Sequence, residues 1–424
     1  MRASPISEGK HSETVSIHGA RVAIGPQNSI HASIQIDRGR IAGIQSDSSC
    51  IGALQAFTGI DLAGFLVLPG LINAHDHLEF ALFPRLGEPP YRNYIDWGED
   101  IHNKFPDIIA RHRAVPKDVR LWWGGIRNLL CGVTTVSHHN PLWPELRKSD
   151  FPVRTVQEYG WGHSLALGGD LRIARAATPA GRAFILHACE GVDARAREEL
   201  QDLDNLGLLD ASTVLVHGLA IDDDGVAKMI AHSASLIICP SSNYFLFGAL
   251  PDMPSLSRIE RVALGNDSPL TADGDILDEI RFAVQSCSIS ASVAYDMVTT
   301  TPAAILRLEH AEGSIAESGV ADLIAVRDTG INAADRTQNL SMEDVEFVMI
   351  AGRTHLASES VLGKIPPSAR QGLEPLSVGG VTRWLRAPVS DLLQAAEKVL
   401  GRNEVRLGSR IVSMPTFAEA KHAC

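Results

Sequence analysis

Nowhere does the 424-residue sequence approach the 18 or so unbroken apolar residues that a membrane-spanning helix needs. It also lacks any long run of Lys and Arg, and its formal net charge is −12. A surface that tracks a phosphate backbone needs clustered cations, so no nucleic-acid partner is expected. The six cysteines (Cys50, Cys131, Cys189, Cys239, Cys287 and Cys424) are scattered, and none forms a Cys-x-x-Cys pair. Such thiols suit a reducing compartment better than a disulfide framework. The first residues, MRASPISEGKHSETVSIHG, hold no apolar core of a secretory signal. These absences together predict a cytoplasmic protein with no membrane partner.

What is present is enough apolar material, 45% of the residues, to bury a large core. Residues 14–47 alternate short β-branched runs with turn signals, which predicts a small antiparallel sheet. FLVLPGLINAHDH (65–77) follows and reads as one strand buried on both faces. Further β-rich runs recur with helical stretches between them: GVTTVSHHN (132–140), VRTVQEYGWG (153–162), AFILHACEG (183–191), TVLVHGLAI (213–221), SLIICPSSN (235–243) and RVALGNDSP (261–269). Strands alternating with helices argue for parallel βα units, and this span is close to the usual length of a TIM barrel. The expected fold class is therefore α/β, a distorted (β/α)₈ TIM barrel. HSLALG (163–168) is the expected stunted fourth strand. Residues 313–357 turn sheet-like again, so a small composite β-sandwich domain is expected from the two end segments. The expected boundaries are 1–64 and 313–357 for the two parts of that domain, 65–312 for the barrel, and 358–424 for a tail with a helix at 389–400. The tail is also a candidate interface for a homo-oligomer.

Each β-rich run ends in polar or ionisable residues, and barrel active sites are built at the strand C-termini. His75 and His77 are two apart, which places them on one face of a strand. His187 and Glu190 lie in HACE, His217 ends TVLVH, and Asp267 follows the last run. Singly, each has an ordinary explanation: a chance His-x-His, a satisfied core histidine, or an Asp that forms a turn. Jointly they all fall at strand ends that open on one face. Three His and an Asp with one position open is a catalytic zinc donor set.

PGLINAHDHLEF, GVTTV, HACE, VLVHG, CPSSN and LGNDSP together resemble the amidohydrolase superfamily. The likeness is to the branch of cytosine, guanine, adenosine and aminofutalosine deaminases and the s-triazine hydrolases. It implies one divalent metal per chain, zinc or iron, held by His75, His77, His187 and Asp267. It also implies Glu190 as proton shuttle, His217 orienting and polarising the attacking water, and Asp267 accepting the water's proton. The implied function is a metal-dependent aminohydrolase acting on a small heterocyclic molecule. The same site is open to hydrolysis of an amide, cyclic amide, N-alkylamine or carbon–halide bond, and a non-catalytic binding protein on the same fold is the remaining alternative. The H-x-E…P-C-x-x-C pattern of the small-fold zinc deaminases is absent, since Cys239-Pro240 runs in the wrong order. No Lys lies between Ser149 and Lys228, which argues against a two-metal site bridged by a carboxylated Lys. Candidate substrate contacts are Glu79, Trp97, His138 and Asn243, with Tyr94, Trp161, His139 and Ser242 behind them. Cys189 is read as space-filling rather than nucleophilic.

Overall fold

The computed structural model describes residues 14–46, 58–272 and 274–415; Cys50, Cys424 and residues 1–13 lie outside them. Short parallel strands carry the centre of the molecule: β1 (Leu71–Asp76), β2 (Val133–His138), β3 (Arg154–Thr155), β4 (Gly160–Trp161), β5 (Phe184–Ala188), β6 (Thr213–His217), β7 (Ser235–Ile238) and β8 (Val262–Leu264). β1, β2 and β3 form one parallel sheet, and β4 to β8 form another. Asp267 N–H donates to the His75 carbonyl at 3.2 Å, and a parallel bridge between Asp76 and Asp267 links the end of β1 to the chain beyond β8.

The runs are uninterruptedly apolar because both strand faces are buried. Ile72, Ala74, Ile185, Val214, Val216, Ile237 and Ala263 pack against one another inside. Leu71, Leu186, Leu215, Leu236 and Leu264 share the other core with helix residues such as Trp123, Ile126, Leu200 and Leu203.

Two expected strands are differently built. The 65–77 run breaks at Gly70, where a Cβ would lie 2.2 Å from Thr134 Oγ1. Phe65–Pro69 pairs antiparallel with Leu323–Arg327, and only Leu71–Asp76 joins the parallel strands. The 153–162 run is two strands, β3 and β4, separated by residues 156–159, too few for a helix. HSLALG is not a strand. Ser164 N–H donates to the Leu167 carbonyl at 3.2 Å and Ser164 Oγ accepts from Leu167 N–H at 3.1 Å, so the segment curls on itself.

The end segments meet in one twelve-stranded, mainly antiparallel sheet. Val15–Ala23, Ser29–Asp37 and Arg40–Ser46 enter from the N-terminal side, and Leu323–Arg327, Val345–Ile350 and Arg353–Ala357 from the C-terminal side; Phe65–Pro69 joins them. The expected helical tail is more than a helix, because Glu374–Val378, Val381–Leu385 and Arg410–Ser413 extend this sheet. The helix itself, Val389–Leu400, buries Val389, Leu392, Leu393, Ala396 and Leu400, an i, i+3, i+4 stripe. It packs on α2 (Pro106–Arg113) and α3 (Lys117–Leu130), and Arg111 donates to its last carbonyl, Leu400 O.

His355 sits at the seam between this sheet and β3, its Nδ1 3.0 Å from the Pro152 carbonyl. Burial, with Arg386, Arg353 and Arg154 nearby, pushes its pKa down to about 3 from 6.5. Between those values the unfolded chain binds a proton that the folded chain refuses, so stability falls as pH drops below 6.5. This residue is expected to contribute about 3 kcal/mol of the loss between pH 7 and pH 4. Urea midpoints of the wild type and His355→Gln at both pH values check this, the variant showing the shallower pH dependence.

Candidate metal centre and active site

The His-x-His pair reaches the interior through an irregularity in β1. Its register with β2 runs Ile72 to Thr135 and Asn73 to Val136, then Asp76 to His138, so β1 carries one extra residue. Such a bulge re-aims the side chains that follow it. Asn73 and Asp76, three apart, consequently share the outer side, Asn73 Nδ2 donating to Asp76 Oδ2 at 3.2 Å. His75 and His77 turn inward.

On the outer side a buried polar network anchors the turn. Arg127 of α3 donates to both Asp76 carboxylate oxygens at 2.9 Å and to the Asp267 carbonyl at 3.3 Å. Asn128 donates to Asp76 Oδ2 at 2.7 Å. Asp76→Ala would strand the Arg127 guanidinium in the interior, which typically costs about 3–5 kcal/mol. Urea unfolding checks this, and a change below about 1 kcal/mol would show that water replaces the carboxylate.

Inside, donor atoms from different strand ends converge. His75 Nε2 and His187 Nε2 are 3.2 Å apart. Asp267 Oδ1 lies 3.6 Å from His75 Nε2 and 3.5 Å from His77 Nε2. Tetrahedral bonds of 2.0–2.1 Å would space the donors by about 3.3 Å, so this set fits one metal ion. Ligand atoms of His75, His77 and His187 lie within 4.8 Å of one another, as do those of His75, His217 and Asp267. Gly265 lets the strands close this tightly, since a Cβ there would sit 2.6 Å from His75 Cβ.

The donors are also electronically suited. Burial drives His75 down to about 3 and His187 well below its usual value, so both rings are neutral and offer lone pairs. Burial alone would raise Asp267, but the adjacent His75 ring, then the His217 and His77 rings, hold it well below the usual carboxylate range. His187 Nδ1 is 2.9 Å from the His163 carbonyl, which leaves Nε2 for a metal. Asp267 Oδ2 accepts from Ser242 Oγ at 2.8 Å and Thr271 Oγ1 at 2.9 Å, so Oδ1 is the free oxygen.

Beside this cluster, Glu190 Oε2 lies 3.6 Å from His217 Nε2. Burial, then Asp267 and Glu199, push Glu190 well above the usual carboxylate range. His217 is lowered by burial, and its Nδ1 meets Asn243 Oδ1 at 3.0 Å. His217 and Asp267 both adopt left-handed backbone, φ 76° and 54°, which turns strand-end side chains back toward the centre. Above them opens a cavity of about 220 Å³, its floor formed by His77, His187, Glu190, His217 and Asp267. Phe80, Phe83, Tyr94, Trp97, Ile101 and Leu270 make its largely apolar wall.

The structure thus brings together His75, His77, His187, Glu190, His217 and Asp267. Of the candidate substrate contacts, Trp97 lines the cavity, its indole N–H donating to the Leu86 carbonyl at 2.9 Å. The other three lie behind the wall. Asn243 is fully buried against His217. His138 accepts from Leu78 N–H at 3.3 Å through Nδ1, which leaves Nε2 facing Glu79 at 3.3 Å; Lys117 holds the other Glu79 oxygen at 3.3 Å. Cys189 is fully buried and its thiol is pushed up by burial, which fits the space-filling role. Trp161 stacks edge-on to His139, ring centroids 5.7 Å apart. Sequence reasoning missed Asp76, Arg127 and Thr271. A signal for Arg127 existed: a lone cation inside the apolar helix face LWWGGIRNLL implies a buried partner.

The sequence model described as the amidohydrolase family matches residues 162–355. A 5-methylthioadenosine/S-adenosylhomocysteine deaminase of Haloquadratum walsbyi is 25% identical over 379 residues, 74% of this chain and 84% of that one. The protein of that name from Pyrococcus furiosus is 24% identical over 324 residues, 63% of this chain and 76% of that one. Two solved structures share the fold. A zinc-bound adenosine deaminase from Xanthomonas campestris superposes with a TM-score of 0.66 at 17% identity, covering 91% of this chain and 97% of that one. A zinc complex of atrazine chlorohydrolase from Arthrobacter aurescens gives 0.68 at 15% identity, covering 91% and 99%. Over residues 162–355 this chain is similar to the amidohydrolase family, and its converging histidines and Asp267 form a site that could hold a metal ion.

Proposed function

We propose that the chain is an aminohydrolase, replacing an exocyclic amine on a nitrogen heterocycle by oxygen and releasing ammonia. The observation that carries this reading is Glu190: a buried carboxyl, pushed toward its protonated form, at the cavity floor beside His217 and the donor cluster. Attack at a C=N carbon requires a proton on the ring nitrogen, and Glu190 is placed to donate it.

In this reading His75, His77, His187 and Asp267 hold one divalent ion, zinc by first choice and iron by second. When bound, the ion supplies a water acidified toward neutrality. His217 orients that water through Nε2, its Nδ1–H being committed to Asn243 Oδ1. Asp267 accepts a proton from it. One C–O bond forms and the exocyclic C–N bond breaks. Glu190 gives its proton to the ring nitrogen and relays the remaining hydroxyl proton to the departing amine, and the proton taken by Asp267 restores Glu190. Phe80, Tyr94 and Trp97 would flank a flat ring, and 5-methylthioadenosine, for which the relatives are named, has an apolar end that suits such walls.

The matching architecture is a distorted (β/α)₈ barrel that starts at Leu71 rather than residue 65, with shortened third and fourth units and a composite β-sandwich from the end segments. Burial of the free thiols Cys131, Cys189, Cys239 and Cys287 supports a cytoplasmic setting. The function is tested by ammonia release from 5-methylthioadenosine, adenosine, cytosine and guanine with zinc-replete protein. Release from one of them supports it. No ammonia from any, with alkylamine or chloride freed from a triazine instead, would move the assignment to the alternative bonds.

A further inference from the structure

The turn that presents Glu190 is held from behind by another carboxylate. β5 ends at Ala188, and Cys189 follows in left-handed backbone, φ 56°, which an L-residue adopts only when its surroundings impose it. Its N–H points away from the strand ladder and donates to Glu199 Oε2 at 2.7 Å. Glu199 belongs to the helix Ala194–Asn205 and is 4% exposed. Its other oxygen, Oε1, accepts from the Tyr94 hydroxyl at 2.9 Å.

Tyr94 begins α1 (Tyr94–Lys104) and lines the cavity wall. Its own N–H donates to the Glu190 carbonyl at 3.2 Å. The preceding residue, Asn93, bridges to Gly191 and donates through Nδ2 to Asp193 Oδ2 at 2.6 Å. One carboxylate therefore ties the Glu190 turn to the wall of the cavity, and the wall is tied back to Glu190 through the main chain.

We propose that Glu199 is a positioning residue for Glu190: its two hydrogen bonds, to Cys189 N–H and to the Tyr94 hydroxyl, hold the Glu190 carboxyl in line with His217 and couple it to the substrate wall. This rests on the acid/base role given to Glu190 above. Glu199 touches neither the cavity nor the donor cluster, so its loss acts on turnover rather than on metal binding.

The test uses full-length zinc-replete protein with 5-methylthioadenosine as substrate and ammonia as readout. Glu199→Leu removes both acceptors. It is expected to keep wild-type metal content and KM within a few-fold while kcat falls about 100-fold, the scale of a small misplacement of a reacting group. Glu199→Gln should restore most of the rate, because its amide oxygen can take the Cys189 N–H and its NH₂ can donate to the Tyr94 oxygen. Tyr94→Phe, which removes one bond of the two, should lose less than Glu199→Leu. Independently of any substrate, amide exchange at Cys189 and Tyr94 should quicken in Glu199→Leu relative to strand β5. Wild-type kcat in Glu199→Leu, or a Gln variant as impaired as the Leu one, or unchanged exchange at Cys189 would each overturn the proposal. Near-normal turnover in Glu190→Gln would instead remove the role of Glu190, and this inference with it.

Discussion

Glu190→Gln is expected to lower kcat about 1,000-fold while metal content and the unfolding midpoint stay near wild type. Glu190 is 6% exposed, and its carboxyl is raised by burial and by the nearby Asp267. Glutamine has the same shape and can donate hydrogen bonds, but it cannot deliver a proton to a ring nitrogen or a leaving amine. It also removes a buried ionisable group, so no folding penalty is expected. The measurement is steady-state kinetics beside elemental analysis of the same sample. Near-normal turnover would take Glu190 out of the chemistry and favour a reaction whose leaving group needs no proton.

His187→Ala is expected to weaken metal binding by more than about 100-fold, beyond what loss of an outer partner costs. Its Nε2 faces His75 Nε2 at 3.2 Å, and no other donor on β5 can replace it. Turnover should vanish with the metal. A ligand that binds only the folded state stabilises it by about 2.7 kcal/mol at 100 times its Kd, so the wild type should gain thermal stability from added zinc and the variant should not. Full occupancy in His187→Ala would mean that the donor set is built on His75, His217 and Asp267 instead, the second group whose ligand atoms converge.

The parallel strands were legible because the interior demands apolar runs such as FILHA and TVLVH, each with a histidine at or next to its end. The donor cluster was legible for a related reason: strand ends open on one face, so His75, His77, His187, His217 and Asp267 could be gathered without knowing any angle. Four things escaped. Gly70 divides a run that looks continuous, because its close approach to Thr134 is a tertiary fact. β3 and β4 are so short that Val153 to Gly162 carries no periodicity to divide it. The neighbours of the strand ends also escaped. Asn243, His138 and Glu79 sit at plausible positions, but Asn243 packs on His217 while His138 and Glu79 face each other, and none of them lines the cavity. The bulge in β1, which decides that both histidines face inward, leaves no mark on a His-x-His string.

The most direct measurement is metal content per chain, by elemental analysis of protein purified without added metal or chelator. About one zinc or iron per chain is expected, removed by chelation together with turnover and restored together with it. Folded protein that holds no metal and does not take up added zinc would rule out the metal centre, because four converging donors with neutral imidazoles and an ionised Asp267 would then have no ion to serve.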